Sequence, residues 1–190
     1  MIKLFHFPQK ECPSYLRVQI ISLMKQEWPQ AFEGEEDLNW PDSPDTNPTS
    51  FLLVDNEKVI SHVAVPFKLI EHKGQMYKAY GLSEVMTDPS YRNRGFGLRL
   101  IKEARLFIEK NHPDISIFTC KPSLVPFYIQ GGWEHANHTC LVGGTRNQPF
   151  RSDELGLATM IRFISDKAQK NRLTFEGTDV YLELGERKLW

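Results

Sequence analysis

Residues 85–98 constrain the fold of this 190-residue chain most, because they join a strand, a basic loop and a helix in one short stretch. A β-compatible run ends at Asp88-Pro89, and an amphipathic helix begins at Leu98. The first backbone N–H groups of a helix have no intrahelical acceptor, and the aligned peptide dipoles add partial positive charge there. The stretch therefore predicts an anion-binding site at the start of this helix.

The loop before this helix has the composition of a phosphate-binding segment. Gly95 and Gly97 let the backbone approach a ligand, and Arg92 and Arg94 add positive charge that can bind phosphate oxygens. We expect backbone donors from Arg94 to Leu98 to provide most of the binding. A solvated helix N-terminus is the alternative, and the usual dinucleotide and P-loop glycine patterns are not present.

Composition and charge argue against several other classes of function. Hydrophobic residues make up 41% of the chain and charged residues 25%, as in globular proteins, and the length fits one domain over residues 1–190. A net charge of −1 gives no reason to expect a nucleic-acid partner. No apolar run approaches the ~20 residues of a membrane span, and no signal-peptide pattern is present. We therefore expect a cytoplasmic protein with no membrane partner.

The charges are nevertheless unevenly distributed. Residues 1–57 carry 10 acidic and 4 basic side chains, whereas the remaining residues carry 14 acidic and 19 basic ones. A basic centre suits a phosphorylated cofactor, and an acidic N-terminal segment suits a cationic acceptor. Solvated surface charge is an equally good explanation of the asymmetry.

The cysteines and histidines form no disulfide or metal-binding pattern. The cysteines Cys12, Cys120 and Cys140 are widely spaced and include no C-x-x-C pair. Ligand spacing is also missing among His62, His72, His112, His135 and His138. We expect these histidines to be surface or strand residues and Cys120 to be a buried structural thiol, and we predict no metal site.

Hydrophobic periodicity predicts an N-terminal helix, a long loop and then strands. Residues 13–28 place Leu16, Ile20, Leu23 and Met24 on one helical face. The acidic, proline-rich residues 31–50 predict an irregular loop. An antiparallel meander is predicted over residues 51–54, 58–72 and 75–87, with bends at Pro66 and Gly81.

The second half of the chain predicts a crossover followed by short elements. The helix from Leu98 ends at Asn111-His112-Pro113, and the strand at residues 115–120 then implies a parallel crossover. Residues 123–130 predict a short helix capped by Gly131-Gly132, after which Trp133 enters a strand. Further on, residues 158–164 and 180–184 are predicted as extended and 165–171 as helical.

Two of these elements resemble the GCN5-related N-acetyltransferase (GNAT) family. Arg92-x-x-Gly95-x-Gly97, between a strand and a helix, is similar to the loop that binds the acyl-CoA pyrophosphate. Residues 127–133, Phe-Tyr-Ile-Gln-Gly-Gly-Trp, are similar to a later helix-to-strand segment in which a tyrosine lies beside the coenzyme sulfur. The resemblance implies a single-domain α/β fold, with a mixed, mostly antiparallel splayed sheet flanked by helices, and acetyl-CoA as donor. The implied cofactor contacts are Val85, Met86, Thr87, Arg92, Arg94, Gly95, Phe96, Gly97 and Leu98.

The resemblance makes Tyr128 the candidate general acid. When an amine attacks a thioester, the departing thiolate needs a proton, and a phenol with a reference pKa of about 10 can supply it. A buried aromatic ring with a satisfied hydroxyl is the alternative. The family often has an asparagine five residues earlier, where this chain has Ser123.

The residues before the loop are candidates for binding the amine. The family commonly places an amine-facing carboxylate, or a water held by backbone, at the position of Ser83 and Glu84. Strand alternation would let only one of the two side chains face the amine. Glu84 is a candidate general base or a surface carboxylate, and the backbone N–H of Val85, Met86 or Thr87 is the expected oxyanion donor.

The chain is most similar to the aminoglycoside 2'-N-acetyltransferase branch. In the N-terminal half the matching segments are Ala31-Phe32-x-Gly34-Glu35 with Trp40, Ile60-Ser61-His62-Val63-Ala64-Val65 and Tyr91-Arg92-x-Arg94-Gly95. The later matches are Tyr128-x-x-x-Gly132-Trp133, Thr145-Arg146 and Trp190. In that branch the acidic residue at the position of Glu35 contacts the acceptor, and the terminal carboxylate lies near the acceptor, which would implicate Trp190. This chain departs from the branch at Ser83, where the branch has glutamate, and at Glu84, where it has glycine.

These observations predict an acetyl-CoA-dependent N-acetyltransferase that moves the acetyl group directly to a primary amine. The first acceptor class is an aminoglycoside-like or other polycationic small molecule. The alternatives are a peptide or protein amine, and a non-catalytic acyl-CoA sensor that has kept the loop without the amine site. A homodimer is possible, although no sequence feature decides it.

Overall fold

The computed structural model describes residues 1–33, 40 and 44–190. The chain divides into two compact units: unit 1 is Met1–Pro66 and Ser83–Ala104, and unit 2 is Phe67–Leu82 and Arg105–Trp190. The chain therefore passes from one unit to the other three times along its length.

Strands dominate the described residues, and helices interrupt them. The strands are β1 (Ile2–Pro8), β2 (Thr49–Asp55), β3 (Lys58–Val65), β4 (Phe67–His72), β5 (Gln75–Tyr80), β6 (Ser83–Thr87), β7 (Ile115–Cys120), β8 (Glu134–His135), β9 (Cys140–Gly144), β10 (Pro149–Arg151), β11 (Ala158–Phe163) and β12 (Asp179–Tyr181). The α-helices are α1 (Ser14–Glu27), α2 (Phe96–Lys110), α3 (Val125–Gly131) and α4 (Asp166–Lys170). None of the helices in the described ranges is long and apolar enough to cross a membrane.

Unit 1 contains an antiparallel sheet with the strand order β1-β2-β3-β6. The predicted helical face of α1 is confirmed, because Leu16, Ile20, Leu23 and Met24 are all buried. They belong to one apolar cluster with Trp40, Leu52, Val54, Val59 and Met86. Burial of apolar side chains, at roughly 25 cal/mol per Å², is what holds α1 and its neighbours in this cluster.

A β-bulge interrupts the pairing of β3 with β6. His62 is paired with Met86, but Ala64 is paired with Ser83, so the two residues Glu84 and Val85 lie opposite the single residue between His62 and Ala64. Glu84 has a φ angle of +51°, in the left-handed region that residues with a Cβ rarely adopt. A bulge of this kind bends the strand and breaks the alternation of its side chains.

Unit 2 is built on a five-stranded sheet with the order β4-β5-β7-β11-β8 and a smaller sheet with the order β10-β9-β12. The strands β5 and β7 are parallel, with Ala79 paired to Ile115, while β7 and β11 are antiparallel. The predicted parallel crossover is therefore confirmed, with β5 as the partner of β7. The buried strand residues Ile117, Phe118 and Ile161 lie in its core.

Trp190 is buried in unit 2, with 6% of its surface exposed. The Thr119 backbone N–H and hydroxyl both donate to the Trp190 carbonyl oxygen, at 3.1 and 3.0 Å. A Cβ added to Gly81 would lie 2.7 Å from the indole ring, so this position has room for glycine alone. The side chain of Trp190 is thus fixed against the end of β5.

The structure confirms the mixed α/β fold and corrects details within it. The predicted strands 58–72 and 75–87 are each divided, at Pro66 and at Gly81-Leu82, because the chain leaves one sheet for another there. Both bends were expected from these residue types. Strand β1 was not predicted, and α2 begins at Phe96 rather than Leu98.

Replacement of Gly81 by alanine should lower the free energy of unfolding by about 1–3 kcal/mol, the usual cost of overpacking. The new methyl group would collide with the Trp190 ring. Urea unfolding of Gly81→Ala, measured with and without Trp190→Leu, checks this, because the smaller side chain should reduce the cost. An equal cost in both backgrounds would contradict the role assigned to the ring.

Candidate active site

The predicted cofactor loop is anchored in unit 1 through Asp88. Asp88 accepts a hydrogen bond from the Ser90 N–H at 2.9 Å and pairs with the Lys58 ammonium at 2.7 Å. Its own N–H donates to the Ile60 carbonyl, which extends the ladder between β3 and β6. The side chain is 7% exposed. The Lys58 ammonium, with help from the Ser90 N–H, holds the pKa of Asp88 below its usual value.

The loop leads into α2, and the first backbone N–H groups of this helix have no acceptor within it. Asn93 and Gly95 have φ angles of +61° and +78°, and α2 starts at Phe96. The Arg99 N–H donates to the Gly95 carbonyl at 2.9 Å as the first intrahelical bond. The N–H groups of the three preceding residues, 96–98, therefore have no intrahelical acceptor, as at every helix start. This is the geometry of an anion site.

The two loop arginines have different environments. The Arg92 guanidinium pairs with Glu27 of α1, and its Nε donates to the Thr87 carbonyl at 3.0 Å. Arg94 is exposed and lies 5.4 Å from the centre of the Tyr91 ring, without an ion pair among the described residues. Arg92 therefore fastens the loop to α1 and to the end of β6, whereas the charge of Arg94 stays available to a ligand.

The carboxylate of Glu84 is half-buried and held by two donors. Its side chain is 17% exposed and accepts hydrogen bonds from the Trp40 indole N–H, 3.2 Å from each carboxylate oxygen, and from the Gln9 amide at 3.0 Å. Ser83, half-buried, is paired with Ala64 at the other end of the bulge. The bulge interrupts the alternation of side chains from which the expectation for Ser83 and Glu84 was drawn.

The following residues of β6 are predicted cofactor contacts, and they differ in exposure. Val85 and Thr87 are half-buried, whereas Met86 is 5% exposed and packs in the apolar cluster. The Ser61 hydroxyl donates to the Met86 carbonyl at 2.9 Å. Contacts of Met86 with a ligand are therefore restricted to its backbone.

His62 lies in strand β3, within the expectation of a surface or strand position, but its full burial was not predicted. Its Nε2 is 2.9 Å from the Ser50 hydroxyl and its Nδ1 is 3.1 Å from the Glu84 carbonyl oxygen. Burial lowers the pKa of His62 to about 4. The available indication was a serine and a histidine inside an otherwise apolar strand, at residues 59–65, since buried polar groups need partners.

In unit 2, Tyr128 lies on α3 with 4% of its surface exposed. Its ring packs edge-on against Phe118 and Phe127, with centres 4.8 and 5.0 Å apart. Burial raises the pKa of its phenol, and the nearby Cys120 adds to the shift. Its hydroxyl forms no hydrogen bond with any of the described residues.

The turn after α3 is fixed from outside the helix. Gly132 ends the helix with a φ angle of +106°, and its carbonyl accepts a hydrogen bond from Arg162 at 2.7 Å. Arg162 also pairs with Glu109 of α2 at 2.7 Å. The backbone that carries Tyr128 is thus tied to both β11 and the C-terminal half of α2.

The other predicted acceptor contacts are Glu35 and Trp190. Glu35 lies outside the described residues. Trp190 is in unit 2 beside Thr119, the residue that precedes Cys120 at the end of β7. Burial raises the pKa of the Cys120 thiol to about 11, which agrees with the expected structural role.

A cavity of about 360 Å³ in unit 2 contains none of the predicted site residues. It is bounded by residues 134–139, 161, 163, 172 and 175–177, which include His135 and His138. Over the part of the chain that the structure describes, no three His, Cys, Asp or Glu side chains are grouped closely enough to hold a metal ion.

The sequence matches one protein-family model. Residues 13–136, well over half of the chain, match the model described as an acetyltransferase (GNAT) domain. The chain therefore belongs to the GNAT acetyltransferase family, and it is an acyltransferase. A search of curated protein sequences finds no significant match.

Solved structures agree with this assignment at the level of the fold. The GNAT N-acetyltransferase YhbS of Escherichia coli, solved in complex with CoA, is 16% identical over 100% of this chain and 96% of its own, with a TM-score of 0.59. An aminoglycoside 6'-N-acetyltransferase complexed with coenzyme A is 11% identical over 85% of this chain and 97% of its own, with a TM-score of 0.58. A probable N-acyltransferase of Enterococcus faecalis is 20% identical with a TM-score of 0.56; the match covers 72% of this chain but only 33% of that longer protein.

Replacement of Asp88 by asparagine should remove the ion pair with Lys58 but keep an oxygen for the Ser90 N–H. A carboxyl whose pKa is lowered by folding stabilises the folded state above its unfolded pKa, and this contribution disappears as the pH falls through the folded value. Asp88→Asn should therefore cost about 0.5–1 kcal/mol at pH 7, and the difference from wild type should shrink below about pH 4.

Denaturant unfolding between pH 7 and pH 3 measures this difference. Asp45→Asn, at an exposed position, is the matched control and should leave the free energy of unfolding unchanged. A difference between Asp88→Asn and wild type that stays constant down to pH 3 would contradict the ion-pair explanation.

Proposed function

We propose that this acyltransferase moves an acetyl group directly from acetyl-CoA to a primary amine, with both substrates bound together. The helix start at residues 95–98 carries the proposal, because its free N–H groups and the exposed Arg94 suit a pyrophosphate. The two neighbours solved with coenzyme A support this choice of cofactor. When bound, acetyl-CoA supplies the activated acetyl thioester.

The residues of the loop divide the work of binding. The N–H groups of Gly95, Phe96, Gly97 and Leu98 would hold the phosphate oxygens, and Arg94 would add a charged donor. Arg92 acts mainly by holding the loop to Glu27 and Thr87. The backbone of Val85, Met86 and Thr87, which follows the bulged residue Glu84, is proposed to donate to the reacting carbonyl and to the cofactor chain.

Tyr128 is the proposed general acid. A phenol whose pKa is raised by burial keeps its proton at neutral pH and can transfer it to a more basic partner. A departing thiolate is such a partner only while it is also excluded from water, which the apolar packing of Tyr128 against Phe118 and Phe127 favours. Cys120 keeps its proton as well, which supports transfer without a covalent enzyme intermediate.

Glu84 is proposed to receive the amine. Its carboxylate is fixed by Trp40 and Gln9 yet remains 17% exposed, so it can accept a hydrogen bond from an ammonium group and take up its proton. Ser83 lies next to it on the bulge. The excess of acidic residues over the first 57 positions favours a cationic acceptor.

An aminoglycoside-like or other polycationic amine is the proposed acceptor class, with Glu35, Ser83 and Trp190 as further contacts. The matches to the 2'-N-acetyltransferase branch support this class, although the substitutions at positions 83 and 84 concern the acceptor side. We also propose that residues 1–190 form one N-acetyltransferase domain. The matched residues 13–136 cross from unit 1 to unit 2 and back, which supports that reading.

Thiol release from acetyl-CoA should be stimulated by amines, and a panel of aminoglycosides, polyamines and lysine peptides identifies the class. Tyr128→Phe should lower kcat about 10²–10⁴-fold, the range for a lost general acid, while the acetyl-CoA Kd changes less than about twofold. Release with lysine peptides alone would replace the proposed acceptor by a peptide amine. Full turnover by Tyr128→Phe would remove Tyr128 from the chemistry.

Replacement of Arg94 should change the affinity for acetyl-CoA, whereas replacement of Arg92 should change the stability of the fold. Arg94→Gln should weaken acetyl-CoA binding by about tenfold or more, the value of one charge-assisted hydrogen bond, and leave the free energy of unfolding unchanged. Arg92→Gln should lower that free energy, and Glu27→Gln should reproduce the loss because it removes the same ion pair. Calorimetric titration and urea unfolding measure both; equal affinities for Arg94→Gln and wild type would contradict the assignment.

A further inference from the structure

The bulge places a side chain where the backbone disfavours one. Glu84 adopts a φ angle of +51°, which brings its Cβ close to its own peptide unit, so this conformation persists only when the surroundings hold it. The residue also carries the carboxylate proposed to receive the amine. Whatever holds the Glu84 backbone therefore also sets where that carboxylate can be.

His62 contacts this backbone directly. Its Nδ1 lies 3.1 Å from the Glu84 carbonyl oxygen, and its Nε2 lies 2.9 Å from the Ser50 hydroxyl. A carbonyl oxygen can only accept, so Nδ1 must carry the proton and donate it. Nε2 of the neutral ring is then an acceptor for the Ser50 hydroxyl. The result is a directed series of hydrogen bonds from β2 through β3 to the bulge in β6.

The imidazole ring cannot shift within this series. His62 has no exposed surface, and its ring lies 6.1 Å from that of Trp40, in an edge-on arrangement. Trp40 is itself 1% exposed and donates to the Glu84 carboxylate. The His62 ring thus contacts the carbonyl oxygen of Glu84, and the Trp40 ring contacts its carboxylate. Together they contact both the backbone and the side chain of this residue.

The protonation state of His62 supports this arrangement. The ring faces the Ser50 hydroxyl on β2, the Glu84 carbonyl and, at 3.7 Å from Nδ1, the Glu84 carboxylate on β6, and the indole of Trp40. Burial keeps its pKa near 4, so the ring is neutral at the pH values where amines are acetylated. The hydrogen-bond pattern therefore stays the same across that range.

From these contacts we infer that His62, oriented by Ser50, is a positioning residue that holds the Glu84 bulge and thereby aims its carboxylate at the acceptor amine. The inference rests on the proposed function of Glu84. It assigns His62 no contact with either substrate and no proton transfer. Its effect should appear in the acceptor side of the kinetics and leave cofactor binding unchanged.

Two replacements of His62 test whether its role is to donate a hydrogen bond from the Nδ1 position or only to fill space in the core. Asparagine can place an amide N–H near the position of Nδ1, whereas leucine fills similar space without a donor. We expect His62→Leu to lower kcat/KM for the amine by about 10–100-fold, the cost of a carbonyl left buried and unpaired. The acetyl-CoA Kd should change less than about twofold, and His62→Asn should recover most of the loss. Full activity in His62→Leu overturns the inference.

A stability cycle tests the same contact without any assay of activity. Glu84→Gly removes the Cβ that makes the left-handed conformation unfavourable, so the bulge should need less support from His62. His62→Leu should raise the unfolding equilibrium constant at least tenfold in the wild-type background and clearly less in Glu84→Gly. Equal effects in both backgrounds would show that His62 is only a core residue.

A third measurement covers the case in which His62→Leu does not fold. Nitrogen-15 NMR of the wild-type imidazole should find the proton on Nδ1 of His62 from pH 6 to pH 9. A proton on Nε2 instead would overturn the inference, because the Glu84 carbonyl would then have no donor. If amine-dependent thiol release is absent while the stability cycle and the tautomer are as expected, it is the proposed function that fails and the structural part of the inference that stands.

Discussion

The conformation of Glu84 and the groups around it depends on the register shift between β3 and β6. One additional residue in β6 turns Glu84 into the left-handed region, and the ladder resumes at Met86 so that Asp88 can still reach Ile60. The cofactor loop begins from that point. A uniform ladder would place the next residues on alternate faces and would carry no carboxylate at an unpaired position. The proposed cofactor loop and the carboxylate proposed to receive the amine therefore both belong to the strand that carries this irregularity.

The features that could be predicted from sequence are those encoded by local patterns. The apolar face of α1, the strand-loop-helix stretch around Gly95, and the glycine that ends α3 all follow from periodicity or from residues with special backbone preferences. The mixed α/β fold follows from the order of these elements. In each case the deciding sequence signal lies within a short segment of the chain.

The features that could not be predicted depend on contacts between distant residues. The partners of Glu84 are Gln9, Trp40 and His62, at separations of 75, 44 and 22 residues. No local pattern indicates a β-bulge at a glutamate, and the distinction between Arg92 and Arg94 depends on the position of Glu27 in another helix. Likewise, β1 was missed because Lys3 and His6 interrupt its apolar residues, and only its pairing with β2 defines it as a strand.

Two cysteines, the half-buried Cys12 and the buried Cys120, affect how such an enzyme can be studied chemically. Burial raises the pKa of Cys12 and of Cys120 to about 11. Thiolate is the form that reacts with disulfide reagents and alkylating agents. At pH 8 only about one in a thousand of these thiols is ionised to thiolate. The free coenzyme thiol is far less hindered. Colorimetric reagents can therefore follow its release against little background from these two residues, and both should resist oxidation during storage.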